Sequence, residues 1–207
     1  MLESIERDAV GIAWYNQCAC AEIDLGTLVD ASLIGVADEL RREGWGLRMF
    51  DVTTDLEIPV YFCVGVHPTR GWLWSAGAHP IAVYALSRAL CEMWQLTQGD
   101  GRRERLPEGL MGELEIRAAP RAAKPRYRLD FSLEMSRIAA RLTSAGLEAF
   151  MVDLTKPDIG FPVVRVVVPG LRHAKPRFGA GRLYDVPVAL GWTKECRTED
   201  TLIRVYL

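Results

Sequence analysis

Glu3, Glu6 and Arg7 occupy positions i, i+3 and i+4 of a segment whose apolar residues Leu2, Ile5, Ala9 and Ile12 recur at helical spacing. Their side chains therefore fall on one side of a helix. Two chemistries fit that spacing. The simpler is an i,i+4 ion pair between Glu3 and Arg7, worth about 0.3 kcal/mol. The other starts from the repulsion between two neighbouring carboxylates, which a cation or a shared proton relieves. Mg2+ takes a few carboxylates and completes its shell with water and phosphate oxygens. Arg7 would then be placed to take a phosphate. A second polar set, Arg88, Glu92 and Gln95, falls at i, i+4 and i+7, beside a separate apolar stripe of Leu86, Leu90 and Met93. Arginine ahead of glutamate is the weaker order for a plain helix pair. The small and apolar residues between them suit a pocket wall.

Other chemistries find less in the chain. Cys18 and Cys20 form a Cys-Ala-Cys pair, but no second cluster completes a four-ligand zinc site, and His67, His79 and His173 lie away from cysteines at ligand spacing. The sequence has no phosphate-cradling glycine loop and no Gly-x-Ser-x-Gly elbow. A nucleotide would have to be held by carboxylates and arginines. No residue stands out as a general acid or base, so the catalytic set is left unassigned.

The elements that must position these residues come as a near-repeat. Asp153 follows Asp51 by 102 residues, as Gly146 follows Gly44 and Leu142 follows Leu40; after Pro157 the offset becomes 103, for Asp158 on Asp55 and Pro162 on Pro59. That period is too long for a solenoid. It predicts two copies of one helix–strand–strand unit and an α+β fold with internal pseudo-symmetry and mixed or antiparallel sheet. The first unit runs from about 30 to 68, the second from about 131 to 170. A charged, Pro- and Gly-containing connection spans about 99 to 128, where an exposed irregular path is expected and Arg103 and Arg105 are expected to be solvated. Helices are predicted at 1–16, 30–43, 81–98 and 131–144, with strands at 47–52, 60–66, 72–75, 149–154 and 162–168. The β-branched density of 163–168 predicts a largely buried strand. The twin Asp-x-Thr turns are read as bonding their local backbone in each copy.

With 207 residues, 49% of them hydrophobic, and a formal charge of -2, the chain is expected to fold around a substantial core, with neither nucleic acid nor membrane as partner. Five scattered cysteines suggest reduced thiols and a cytoplasmic setting. The first residues are too charged for a signal peptide.

Four segments, in order along nearly the whole chain, resemble the YcaO family. Glu3-Ser-Ile-Glu6-Arg7-Asp8-Ala9, followed by Trp14-Tyr15-Asn16, resembles its Glu-x-x-Glu-Arg segment. Gly77-Ala-His-Pro80 with Ser87-Arg88-Ala-Leu-Cys-Glu92 resembles its Arg-Ala-Leu-x-Glu helix. Residues 152–171 resemble its late strand pair, and Arg182-Leu-Tyr-Asp-Val-Pro187 through Trp192 the tail of its azole-forming branch. The resemblance implies activation of a peptide amide oxygen by ATP through a phosphorylated hemiorthoamide. Cys, Ser or Thr then cyclises onto the preceding carbonyl, giving thiazolines and oxazolines in ribosomally made peptides such as bacteriocins. By the same resemblance Glu3, Glu6, Arg7, Arg88, Glu92 and, less directly, Gln95 would bind ATP or its metals, with Glu3, Glu6 and Glu92 as Mg2+ ligands. A precursor peptide would be the substrate. A peptide-presenting protein or an N-terminal segment would be the partner, and a homodimer is compatible.

Two departures from the family pattern shape the expectation. Complete family domains carry an earlier segment with a further pair of glutamates, and here the first helix opens without a cap, as though the chain begins after that segment. Azole-forming members end in a Pro-x-Pro-x-Pro tail, whereas this chain ends Leu202-Ile-Arg-Val-Tyr-Leu207. The isolated chain is therefore expected to lack cyclodehydratase turnover while binding ATP weakly. The competing reading is a non-catalytic remnant that binds a partner or peptide. A relative making thioamides or amidines is a third.

Overall fold

A computed structural model describes residues 1–99, 116–121, 131–173, 175, 177–195 and 197–202. Strand periodicity explains its layering. In β3, Val60–His67, the side chains of Tyr61 and Cys63 enter one hydrophobic core, while Val60, Phe62 and Val64 enter another on the opposite face. The sheet is thus buried on both sides, which accounts for the continuous apolar run. One face carries α2, Ala31–Arg42, and α3, Ala82–Thr97, through Leu33, Leu40, Leu86, Leu90 and Met93. The other carries α1, Leu2–Tyr15, with α4, Phe131–Ser144, and α5, Arg182–Ala189. Trp14 of α1 stacks on Trp72 at 5.5 Å between ring centroids and anchors the helix to the sheet.

Among the described residues the main sheet runs β4-β3-β2-β1-β5, with β1 at Glu22–Asp24, β2 at Gly46–Asp51, β4 at Gly71–Ala78 and β5 at Ile116–Ala118. Its pairs are antiparallel except β1 with β5, which is parallel. A separate antiparallel pair joins β6, Phe150–Asp153, to β7, Val164–Val167. This is the expected α+β architecture with mixed sheet. Among the described residues no helix is long and apolar enough to cross a membrane.

The two repeat units share the hydrogen bonds of their glycine stops and of their Asp-x-Thr turns. Gly44 and Gly146 both take positive φ, at 93° and 70°. Behind them the Trp45 N–H donates to the Leu40 carbonyl and the Leu147 N–H to the Leu142 carbonyl, the six-residue closure that ends a helix on glycine. Asp51 accepts from the Thr53 N–H at 3.0 Å and the Thr53 hydroxyl accepts from the Val60 N–H at 3.2 Å. Asp153, Thr155 and Val163 repeat the pattern at 2.9 and 3.1 Å. The Asp-x-Thr turns therefore serve their local backbone, as expected.

Three expectations need correction or restriction. The strand at 163–168 is not largely buried. Val163, Val164 and Val167 are exposed, and Val168 alone of the valines there is fully buried. β-branched residues fix the strand conformation, but burial needs a covering layer, and β7 pairs only with β6 among the described residues. Within the connection at 99–128, β5 is a short strand, formed because β1 offers it a parallel edge. Residues 100–115, with Arg103 and Arg105, and the chain end at 203–207 lie outside the described residues.

Candidate functional site

The site is built on the outer edge of β4. Gly77 lets α3 lie directly on this strand: a Cβ there would sit 2.1 Å from the Ala85 carbonyl oxygen and 2.7 Å from the Ala89 nitrogen. The Ser75 hydroxyl donates to the Ala89 carbonyl at 2.7 Å and fixes the register of the helix on the strand. Among the described residues β4 ends the sheet, so its outward N–H groups have no neighbouring strand there to bond. Two glutamates fill that need. The Ala76 N–H donates to Glu92 Oε2 at 3.2 Å, and the Ala78 N–H donates to Glu6 Oε2 at 3.1 Å. Carboxylates from α1 and α3 are thereby drawn to alternate residues of one strand.

A cavity of about 360 Å³ opens here, lined by Glu3, Glu6, Ala76, Arg88, Cys91, Glu92 and Gln95. Five of the six residues singled out in sequence thus share one cavity, although they come from helices some eighty residues apart. Arg7 is the exception. It pairs with Glu3 across one turn of α1 and lines a neighbouring cavity. The ion-pair reading of Glu3 and Arg7 is realised, while Glu6 faces the cavity shared with Glu92 and Arg88.

The electrostatics centre on Glu6. Burial first, then repulsion from Glu92, pushes its carboxyl up to about 7; Arg88 and the Ala78 N–H oppose the shift, and Glu3 adds to it. A carboxyl held near neutrality can keep its proton or exchange it for a cation. Among the described residues no three His, Cys, Asp or Glu side chains stand close enough to ligate one ion. The arrangement is instead two oxygen donors on a strand edge with an arginine beside them. It suits Mg2+, which takes one or two carboxylates and fills its octahedron with water and phosphate oxygens.

Sequence reasoning missed the strand edge itself and the glycine that lets α3 reach it. The signal was present in the small residues of Ser75-Ala-Gly-Ala78, since glycine in a strand marks close backbone approach. Gly77→Ala is expected to cost about 1–3 kcal/mol through overpacking. It should displace α3 from β4 and break the hydrogen bond from the Ala76 N–H to Glu92. A drop in the urea midpoint together with new amide resonances at Ala76 and Ala78 would show both. A variant as stable as the native chain would mean that the close approach is unnecessary.

A family model described as YcaO cyclodehydratase, ATP- and Mg2+-binding, matches residues 1–172. The chain belongs to the YcaO family. Its fold superposes on a heterocyclase determined in complex with substrate and cofactor, with a TM-score of 0.82 and 32% identity, covering 100% of this chain and 30% of that one. The heterocyclase TruD gives a TM-score of 0.82 at 30% identity, covering 100% of this chain and 31% of its own. An uncharacterised protein from the tfuA 3′ region of Rhizobium leguminosarum bv. trifolii is 28% identical over 83% of this chain and 48% of its own length. The chain thus spans about half of that relative and under a third of these heterocyclases.

Proposed function

We propose that this chain supplies the strand-edge half of a Mg2+–ATP site in a YcaO-type cyclodehydratase acting on backbone amides of a precursor peptide. The observation that carries this reading is the pair of carboxylates, Glu6 and Glu92, side by side on β4, with Arg88 facing the same cavity and Glu6 raised to about 7. Transfer of a phosphoryl group requires positioning and charge neutralisation more than covalent help from the protein. Glu6 and Glu92 would hold the metal that neutralises the phosphates. Arg88 places a fixed positive charge in the cavity, Gln95 offers an amide to a nucleotide, and Glu3 stands at the rim shared with Arg7. In the reaction this site would serve, the thiol or hydroxyl of Cys, Ser or Thr adds to the preceding carbonyl; ATP would supply a phosphoryl group to the resulting oxygen with ADP as leaving group, and loss of phosphate together with the amide proton would leave the azoline ring.

A second reading has its own support. Phe150, Met151, Val152 and Leu154, with Val163 and Val164, are exposed on and beside the β6–β7 hairpin. A patch of this kind favours a surface that binds a protein or peptide partner. The two readings differ at the strand edge. Glu92→Gln and Arg88→Gln are expected to weaken Mg2+–ATP binding by roughly tenfold each, about the loss of one charge-assisted interaction. Titration calorimetry at pH 7.5, with and without Mg2+, measures this. Equal heats for the native chain and both variants would remove the nucleotide reading and leave the partner-binding one.

A further inference from the structure

The polar stripe of α3 does not stop at Arg88. Tyr84, Arg88, Glu92 and Gln95 follow one another at spacings of three or four residues and so share one side of the helix. The last three line the strand-edge cavity, and Tyr84 carries the stripe one turn further toward the helix start. Against it stands His79, whose ring meets the Tyr84 ring edge-on at 5.1 Å between centroids. The His79 N–H donates to the Pro59 carbonyl at 3.1 Å, so the chain is still held to the sheet there. Two residues back, a Cβ on Gly77 would lie 2.8 Å from the Cβ of Arg88. His79 thus continues the wall that Arg88 begins. The state of its ring is fixed locally. Nδ1 accepts from the Ile81 N–H at 3.0 Å, and a backbone N–H can only donate, so the neutral ring carries its proton on Nε2. The residue is half-buried, and among the described residues no group accepts a hydrogen bond from this Nε2. Burial holds the imidazole below its usual value; Glu134 of α4 opposes that and Arg88 adds to it.

We propose that His79 presents this Nε2–H to the oxygen of the peptide amide under attack, an inference that rests on the Mg2+–ATP reading of the neighbouring cavity. The order of residues along α3 gives the direction. With Gln95 toward the nucleoside and Glu6 and Glu92 on the metal, the terminal phosphoryl group would fall at Arg88. An oxygen that attacks it in line comes from the side away from the leaving group, which is the side of His79. Arg88 is then engaged by phosphate, and the amide oxygen needs a donor of its own. As the thiol or hydroxyl adds to the carbonyl, negative charge gathers on that oxygen. A donor already aimed there stabilises it without reorganisation, a contribution of about a hundred- to a thousandfold in rate where such donors have been removed. A neutral imidazole suits the task. It donates from Nε2 and keeps its proton, while Nδ1 stays bound to the Ile81 N–H. No covalent bond on His79 forms or breaks.

The test is nitrogen NMR of the native chain labelled at its histidines, with Mg2+, the non-hydrolysable analogue AMPPCP and acetyl-Gly-Cys-amide as the peptide probe. The free chain should show His79 with a proton on Nε2 and none on Nδ1. Added to the AMPPCP complex, the peptide is expected to shift the His79 Nε2 resonance and to leave Nδ1 bound as before. His79→Asn keeps an acceptor for the Ile81 N–H, since asparagine bonds the backbone two residues on, but lacks the ring that reaches the substrate. It should unfold at the native temperature and bind AMPPCP as the native chain does. Its affinity for the peptide should fall roughly five- to tenfold, which a role confined to starting α3 would not produce. The native resonances decide the matter even where the variant is unstable. An Nε2 signal that the peptide leaves unmoved, native peptide affinity in His79→Asn, or shifts that fall on the Gln95 side chain instead would overturn the proposal while AMPPCP binding stands. A native chain that binds no AMPPCP removes the nucleotide reading, and this inference with it.

Discussion

Replacing Arg182 with methionine is expected to destabilise the fold by about 3–5 kcal/mol, the cost of leaving a buried charge without its partner. Asp8 has no exposed surface, and Arg182 is its partner. Arg182 Nε donates to Asp8 Oδ2 at 3.1 Å and Nη2 does so at 2.8 Å, while Nη1 and Nη2 reach Asp55 at 2.9 and 2.7 Å. One guanidinium thus joins α1, the turn between β2 and β3, and α5. On α1, Asp8 lies about 200° around the helix from Glu6, so this clasp grips the helix from behind the carboxylates that reach β4. Asp8 is raised by burial and drawn back by Arg182. Without the arginine the shift grows, and the native state binds its proton over a wider pH range than the unfolded chain. Stability of the variant should therefore recover on acidification, as Asp8 becomes neutral, and the deficit should be larger at pH 8 than at pH 5. Arg182→Lys keeps charge but not the fork and should fall between. Urea midpoints for the three proteins at both pH values check this, and a deficit below about 1 kcal/mol would show that the clasp is no stronger than a surface pair.

That clasp marks the limit of what the sequence showed. The twin units were legible because a glycine stop, an Asp-x-Thr turn and a proline recur at one offset, and each of these acts on neighbouring backbone. The helices carrying Glu3, Glu6, Arg88 and Glu92 were legible from periodicity, and the YcaO resemblance linked them. Asp8 and Arg182 are 174 residues apart, and nothing local pairs them. In sequence Asp8 is one more charge beside Arg7, and its burial follows only from how α5 docks on α1. The same holds for the strand edge. Glu6 and Glu92 look like helix-face carboxylates until the order of the sheet leaves the Ala76 and Ala78 N–H groups unpaired beside them. Arg7 shows the converse. Its spacing from Glu6 suggests a shared site, but its i,i+4 pairing with Glu3 turns it toward the neighbouring cavity. The β-branched run of β7 signals a strand and says nothing of its burial, because residue type sets backbone preference while burial depends on the layer beside it.

The second large effect is expected at Glu6, and it has opposite signs for stability and for metal binding. The folded chain holds this carboxyl up to about 7, against an ordinary glutamate value near 4.5. Between those two pH values the native state binds more protons than the unfolded one, so native stability should fall as pH rises through the window and stay reduced above it. The full penalty is at most about 3.4 kcal/mol, from a shift of roughly 2.5 pH units at 1.36 kcal/mol each. Glu6→Gln keeps an acceptor for the Ala78 N–H and removes the charge that burial and Glu92 oppose. It should match the native chain below pH 4.5, exceed its stability above pH 7, and flatten the slope between. Mg2+ competes with the proton for the same carboxylate, so its affinity for the native chain should rise with pH through about 7, and Mg2+ should recover part of the lost stability at pH 8. The glutamine variant has no proton to release there and keeps only Glu92 as a carboxylate ligand, so it should gain clearly less from Mg2+, without the rise through about 7. Thermal unfolding of both proteins across this range, with and without Mg2+, reads the two effects together. A native chain equally stable at pH 5 and pH 8, or a glutamine variant that Mg2+ stabilises as strongly as the native chain, would show that Glu6 caps the β4 edge and holds no cation.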